Sequence, residues 1–270
     1  MDAPRSSSLS KGTPIRVLSR ALRHQGDPIP LPWPELQIRP GPGDVVLGLA
    51  APGVGKSFMA LNWAVHLAQG GRPVLMHSTD TDYSDQAIRT AALLSGHTTE
   101  EIERDQEKWA DWLTNQHLPI RWSDTHISAE DLGDLMKAEV EFLGEAPEFV
   151  VVDIAGDMLN GQEENVGSMR NIFTQLKKTA RRFHTTIYAL HHVKRGSAAS
   201  GTSVVKLADG LYAGEGVVQI VLGMWREGTE TLRVATLKNR MGKAQAEGLL
   251  ACDLKVDYAR GRVTSRQAAW

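Results

Sequence analysis

Residues 50 to 57 read Ala-Ala-Pro-Gly-Val-Gly-Lys-Ser, a stretch whose chemistry follows from its residue types. Gly53 and Gly55 let the backbone curl so that successive N–H groups point at one spot, a nest for phosphate oxygens. Lys56 supplies a point charge for the β- and γ-phosphates, and Ser57 offers a hydroxyl to Mg²⁺. The pattern is GxxxxGK[ST] with Ala50 in place of the first glycine. A site that hydrolyses a nucleoside triphosphate also needs a carboxylate near the metal. Asp153 has that placement, at the end of the apolar run Phe149-Val-Val-Val152; otherwise it is a strand-end residue capping a turn. A second carboxylate must orient the attacking water. Thr79-Asp80-Thr81-Asp82 follows another apolar run, with Asp85 just beyond. Asp80 stands closest to the strand end, whereas Asp82 and Asp85 also suit the start of the next helix, where anions favour the N-terminus.

Two further groups carry charge to such a site. Ala189-Leu-His-His-Val-Lys-Arg195 closes another apolar run, and alternation along a strand turns one of His191 and His192 into the sheet and the other toward the phosphates. In Thr236-Leu-Lys-Asn-Arg-Met-Gly242, Lys238 and Arg240 stand two apart on a predicted strand and share a face. They are either exposed strand-end charges or a pair that projects into a neighbour's nucleotide.

The elements that must position these groups alternate strand and helix, the pattern of a parallel sheet with crossover helices. Asp44 to Ala50 reads as a buried strand, and Phe58, Leu61, Val65 and Ala68 recur at helical spacing up to Gly70-Gly71. Strands are predicted at 73–78, 118–122, 148–154 and 185–190, with helices at 84–94, 98–112, 128–142 and from Val166 through Ala180. The later runs 216–225, 231–239 and 248–254 read as strands, the first two a hairpin around Glu227-Gly-Thr-Glu230. One mostly parallel α/β sheet ending in antiparallel strands accommodates all of them. Residues 1–33 are expected to form an N-terminal arm with a short basic amphipathic helix at 14–26, and residues 34–270 the domain.

The 270-residue chain has a net charge of −2, so no global positive field points to nucleic acid and any such contact is a local patch. One cysteine, Cys252, excludes an intramolecular disulfide. The polar N-terminus and the absence of a long apolar run give the expectation of a cytoplasmic protein.

In motif order and spacing, Pro34 to Val263 resembles the RecA-like ATPase domain of the DnaB-type hexameric replicative helicases. Alanine at the first loop position is frequent in that family, so Ala50 fits it. The resemblance implies ATP cradled by Ala51, Pro52, Gly53, Val54, Gly55, Lys56, Ser57 and Phe58, with Mg²⁺ held by Ser57 and Asp153. Asp80 takes the place of the family's catalytic glutamate and is one methylene shorter. His192 matches a γ-phosphate-sensing position that is usually glutamine and is histidine in phage and plasmid relatives. Lys238-Asn-Arg240-Met-Gly242 resembles the Lys-x-Arg-x-Gly element that reaches across a subunit interface, which implies a homo-oligomeric, hexameric ring. The resemblance does not extend to the helical N-terminal domain of the bacterial helicases; residues 14–26 stand where their linker helix docks on the adjacent subunit. Single-stranded DNA is the implied track. Residues 156–168 are acidic, with Asp157, Glu163 and Glu164, and ill-suited to phosphate; the loop 194–203, with Lys194 and Arg195, and Lys206 just beyond it, is basic and glycine-rich. That loop is either a DNA-tracking segment or a plain surface loop.

Three readings follow. One is an ATP-driven helicase motor on single-stranded DNA, in replication or recombination. Another is a metal-dependent DNA nuclease that converges Asp80, Asp82, Asp85, Asp124 and Asp153 on divalent ions. The third is a loader or ring partner that uses ATP only for assembly.

Overall fold

A computed structural model describes residues 27–159, 163–193, 200–210 and 216–266. The expected helix at 14–26 and the candidate DNA contacts Lys194 and Arg195 lie outside these residues. One sheet of nine strands organises the chain, in the order β3-β2-β4-β5-β1-β6-β7-β8-β9. β1 (Val45–Ala50), β2 (Val74–Ser78), β3 (Ile120–Ser123), β4 (Phe149–Asp153), β5 (Thr186–His192) and β6 (Ile220–Glu227) are parallel, as the α/β alternation predicts. β7 (Thr231–Asn239), β8 (Ala251–Asp257) and β9 (Arg262–Ser265) continue it antiparallel. β9 is not foreseen from sequence: four residues are too short for an alternation signal.

The central strands β1, β2 and β4 are buried along their whole length, which is why they read as unbroken apolar runs. α1 (Lys56–Gln69) covers one face, where Trp63 packs against Phe149 and Tyr188. α6 (Val166–Phe183) covers the other, placing Phe173 edge-on to His191. Tyr188 and His191 differ in parity on β5, so they face opposite sides of the sheet. α5 (Leu132–Leu143) packs beside α6. Its first turn begins after a Ser128–Asp131 hydrogen-bonded turn, not at Ser128 itself.

The predicted helix over 98–112 divides into α3 (Thr99–Glu103) and α4 (Gln106–Thr114). Thr98 and Glu101 form a capping box at the start, and the chain leaves helical geometry at Asp105 (φ −145°), a residue of low helix propensity. Ile102 and Trp109 then bury against Ala91 and Ala92 of α2 (Tyr83–Ser95), a small core separate from the main one. Among the described residues no helix is long and apolar enough to cross a membrane.

The main core reaches back past Pro34. Ile29 and Trp33, placed in the arm by the sequence reading, are fully buried, and Trp33 Nε1 donates to Val263 O at 2.9 Å. Trp33→Ala is therefore expected to destabilise the whole domain by about 3–5 kcal/mol, measured as a lowered midpoint in urea unfolding at unchanged slope.

Candidate nucleotide site

The parallel register brings four strand ends into one row. Ala50 pairs with His192, Ser78 with Asp153, and β4 lies between β2 and β5. The phosphate loop leaves β1 at one end of this row. Gly53 (φ 73°) and Gly55 (φ 115°) adopt backbone angles that a side chain would strain, and Gly55 caps α1 in the left-handed region. Lys56 is thereby carried inward to 5% exposure, with no ion pair among the described residues. Asp153 acts on Lys56 from beyond ion-pair distance, which leaves the ammonium able to take a phosphate oxygen as well. Beside it opens a cleft of about 270 Å³ lined by Gly53, Gly55, Ser57, Phe58, Asp80, Thr81, Asp85 and Arg89.

Asp153 ends β4 on the α1 side of the sheet and is 3% exposed. Burial raises its pKa, opposed by a hydrogen bond from Ser57 and the charge of Lys56. Its Oδ1 is buried without a hydrogen-bond partner. A hydroxyl beside a carboxylate with an unsatisfied oxygen is an all-oxygen donor set, and it fits Mg²⁺.

The acids after β2 separate by role. Asp82 Oδ1 accepts from Asp85 N at 2.8 Å and caps α2, which commits that carboxylate to the helix. Asp80 is exposed, lines the cleft, and acts electrostatically on both Asp153 and His192. The two histidines divide as alternation requires. His191 is buried on the α6 side, its Nε2 3.2 Å from Glu164 Oε1 but out of hydrogen-bond alignment. His192 is half-buried, and burial and the charge of Lys56 lower its pKa while Asp80 and Asp157 raise it.

Three contributors escape a sequence reading. Arg89 reaches the cleft from α2, with its guanidinium carbon 5.7 Å from the Phe58 ring centroid and Nη1 3.5 Å from Thr81 Oγ1. Its sequence signal is a lone arginine amid the alanines of a helix. Tyr258, between β8 and β9, donates to Val54 O at 2.9 Å and tilts over Phe58. Asp157 accepts a hydrogen bond from Thr79 Oγ1, so the segment read as acidic and ill-suited to phosphate holds the turn before Asp80. The described end of the basic loop also meets the site: a Cβ on Gly201 would lie 2.9 Å from Val54 Cγ2. Lys206, a candidate DNA contact, pairs with Glu247 at 2.7 Å.

Lys238 and Arg240 lie elsewhere. Antiparallel β7 starts at the phosphate-loop end and finishes at the other, and a bulge between Val221 and Leu222 interrupts its pairing with β6. β7 ends at Asn239, so Arg240 opens the following turn instead of sharing a strand face with Lys238. Arg240 N donates to Gln219 O, and Gln219 N to Val45 O, at the first residue of β1. The whole of β1, about 16 Å of strand, separates that point from the phosphate loop. Arg240 therefore stands at the opposite end of the sheet from its own Lys56.

A family model described as an AAA domain matches residues 32–198, more than half of the sequence. This chain belongs to the AAA domain family. The matched stretch holds the phosphate loop, Asp80, Asp153 and His192, while the Lys238–Arg240 segment lies beyond it. Two phage proteins resemble this AAA-family chain: the Gene 65 protein of Mycobacterium phage L5, 28% identical over 83% of this chain and 87% of its own, and that of Mycobacterium phage D29, 28% identical over 76% and 91%. Among solved structures, a DnaB-like replicative helicase studied with primase matches with TM-score 0.76 at 16% identity, covering 96% of this chain and 68% of the other. A solved ATPase domain matches with TM-score 0.75 at 17% identity, covering 94% and 97%. These likenesses establish the fold of the AAA-family chain as that of the RecA-like ATPase domains of DnaB-like helicases.

Among the described residues, no three His, Cys, Asp or Glu side chains gather into a metal-holding group. Of the five acids in the nuclease reading, Asp82 caps α2 and Asp124 hydrogen-bonds with Tyr83, while Asp80 and Asp85 line the cleft and Asp80 acts on Asp153.

Burial pushes the pKa of both His77 and His191 down to about 4 from an ordinary 6.5. The unfolded chain takes up these protons first, so stability is complete above pH 6.5 and falls as pH drops toward 4. Each ring contributes a slope of about 1.4 kcal/mol per pH unit in that window. Urea titrations between pH 7.5 and 4.5 are expected to show this loss, and the double variant His77→Gln, His191→Gln a flatter profile.

Proposed function

We propose that this protein is a cytoplasmic ATP-driven motor of the DnaB-like helicase type, working on single-stranded DNA in a homo-oligomeric ring of six. The observation that carries the reading is the separation of Lys56 and Arg240 to opposite ends of one sheet. A chain so built holds a nucleotide by itself but presents its arginine to someone else's; stacked head to tail, each copy completes the next.

In this scheme the loop from Ala51 to Phe58 binds the triphosphate, its backbone N–H groups and Lys56 taking the phosphate oxygens. Ser57 and Asp153 hold Mg²⁺, which neutralises phosphate charge when bound. Asp80 orients the attacking water and accepts its proton. The shorter acid reaches less far than glutamate, and Arg89 and Thr81 fix the turn from which it extends. His192, beside Lys56 and level with Ala50, reports the γ-phosphate. Arg240 and Lys238 of the next copy meet the charge that develops on the transferred group. Gly201 against Val54 ties the basic loop, with Lys194 and Arg195, to the phosphate loop, so a change at the nucleotide is felt where DNA would run. Lys206 contacts DNA in this scheme only by exchanging Glu247 for a backbone phosphate.

Lys56→Ala is expected to abolish nucleotide binding and hydrolysis. Arg240→Ala is expected to leave binding of a fluorescent ATP analogue intact while lowering turnover at least about 100-fold. Normal turnover in Arg240→Ala would reject the shared site. A second measurement tests the motor: ATP hydrolysis with and without single-stranded DNA, paired with light scattering. Stimulation by DNA in a particle of several chains is the expected result; a monomer indifferent to DNA would sink the proposal, and assembly by ATP without strand separation would select the loader reading.

A further inference from the structure

α6 ends close to where β7 ends, and the cations of the two elements converge. Lys177 Nζ donates to Val217 O at 3.0 Å, and Arg240 Nη2 donates to Gly216 O at 3.0 Å. Consecutive carbonyls of the segment leading into β6 thus hold one ammonium and one guanidinium. Arg181, a turn after Lys177 on α6, packs its stem against Gly43, where a Cβ would lie 3.4 Å from Arg181 Cγ. None of the three cations forms an ion pair within 4.0 Å among the described residues. The carboxylate that faces them, Asp44, accepts from Gly41 N at 3.0 Å and acts on Lys177 and Arg181 from beyond ion-pair distance. Burial lowers the Lys177 pKa and the charges of Arg181 and Arg240 lower it further, opposed only in part by the charge of Asp44, as expected where like charges outnumber the one carboxylate facing them.

We infer that Lys177 and Arg181 form, with Arg240, a receptor for the phosphate chain of a nucleotide held in the cleft of a second copy of this protein. The inference rests on the head-to-tail reading above and extends it from one segment to two elements. Three cations held on two adjacent carbonyls and a helix offer a triphosphate a preformed positive surface, and a bound anion relieves their mutual repulsion. Lys177 serves in addition as a positioning residue, since the carbonyl it holds adjoins the one that holds Arg240.

Mixed assemblies test it. The variant Lys177→Gln, Arg181→Gln keeps a donor for Val217 O and removes both charges. It is expected to unfold at the wild-type temperature, bind the fluorescent ATP analogue normally and lose turnover about 10-fold or more. Mixed with an equal amount of Lys56→Ala, whose cations are intact, it regains activity, because about one interface in four combines a working cleft with a working receptor. Wild-type turnover in the double variant, or loss that mixing does not rescue, would overturn the inference. The pair Arg240→Ala with Lys56→Ala runs alongside: rescue there with none for the double variant rejects only the Lys177–Arg181 receptor, and rescue in neither rejects the shared site itself. Unchanged binding of a fluorescent single-stranded oligonucleotide is expected; weakened binding at undiminished turnover would assign the cluster to a DNA backbone and overturn the inference.

Discussion

An ammonium group held under the surface with no ion pair within 4.0 Å among the described residues is the constraint around which this domain is arranged. Lys56 reaches that position because two glycines let the loop turn back on itself and because α1 starts there. The loop itself is anchored from far away in the chain: Tyr258 holds Val54 O, and Gly201 presses on the Val54 side chain. Every acid near the loop is kept back from full contact with Lys56. Asp153 leans on Ser57, Asp82 caps a helix, and Asp80 stands across open space. A lysine already neutralised by a neighbour would gain little from phosphate, so these withheld contacts are what leave the site avid for an anion.

How much of this is legible in residues alone depends on how local the cause is. The buried strands announce themselves because both faces are covered, and the phosphate loop because its backbone demands glycine. The row formed by Ala50, Asp153 and His192 follows from parallel strands that end within two residues of one another, so the ends of three apolar runs name it in advance. Arg89, Tyr258 and Gly201 are different. Each enters through the packing of a remote element, and nothing in its immediate neighbours marks it. The division of 98–112 at Asp105 belongs to the same class, as does the attachment of Trp33 to Val263. At Arg240 the spacing argument was sound for a continuous strand, but a bulge and an early strand end removed the premise.

The switch from parallel to antiparallel strands after β6 carries the larger consequence for architecture. Had β7 been parallel, its C-terminal residues would have finished beside the chain's own phosphate loop. Running the other way, it delivers Arg240 next to Lys177 and Arg181 at the far edge, against the N-terminal end of β1. A single reversal of strand direction thereby gives the domain two unlike poles, one short of positive charge for a triphosphate and the other with cations to offer. Complementary ends on a rigid body favour head-to-tail contact over face-to-face pairing.

Polarity of this kind changes how output scales with number. In an open arc of such chains the terminal cleft has no donor and the opposite terminal cluster no recipient, so each arc carries one fewer complete centre than it has members. Closing the circle adds a centre without adding a chain. The Tyr258 and Gly201 braces act within each copy by itself, holding the phosphate loop in place whether or not a neighbour is present. Hydrolysis per chain would then climb with concentration until rings close, and level off there, making the rate itself a gauge of assembly.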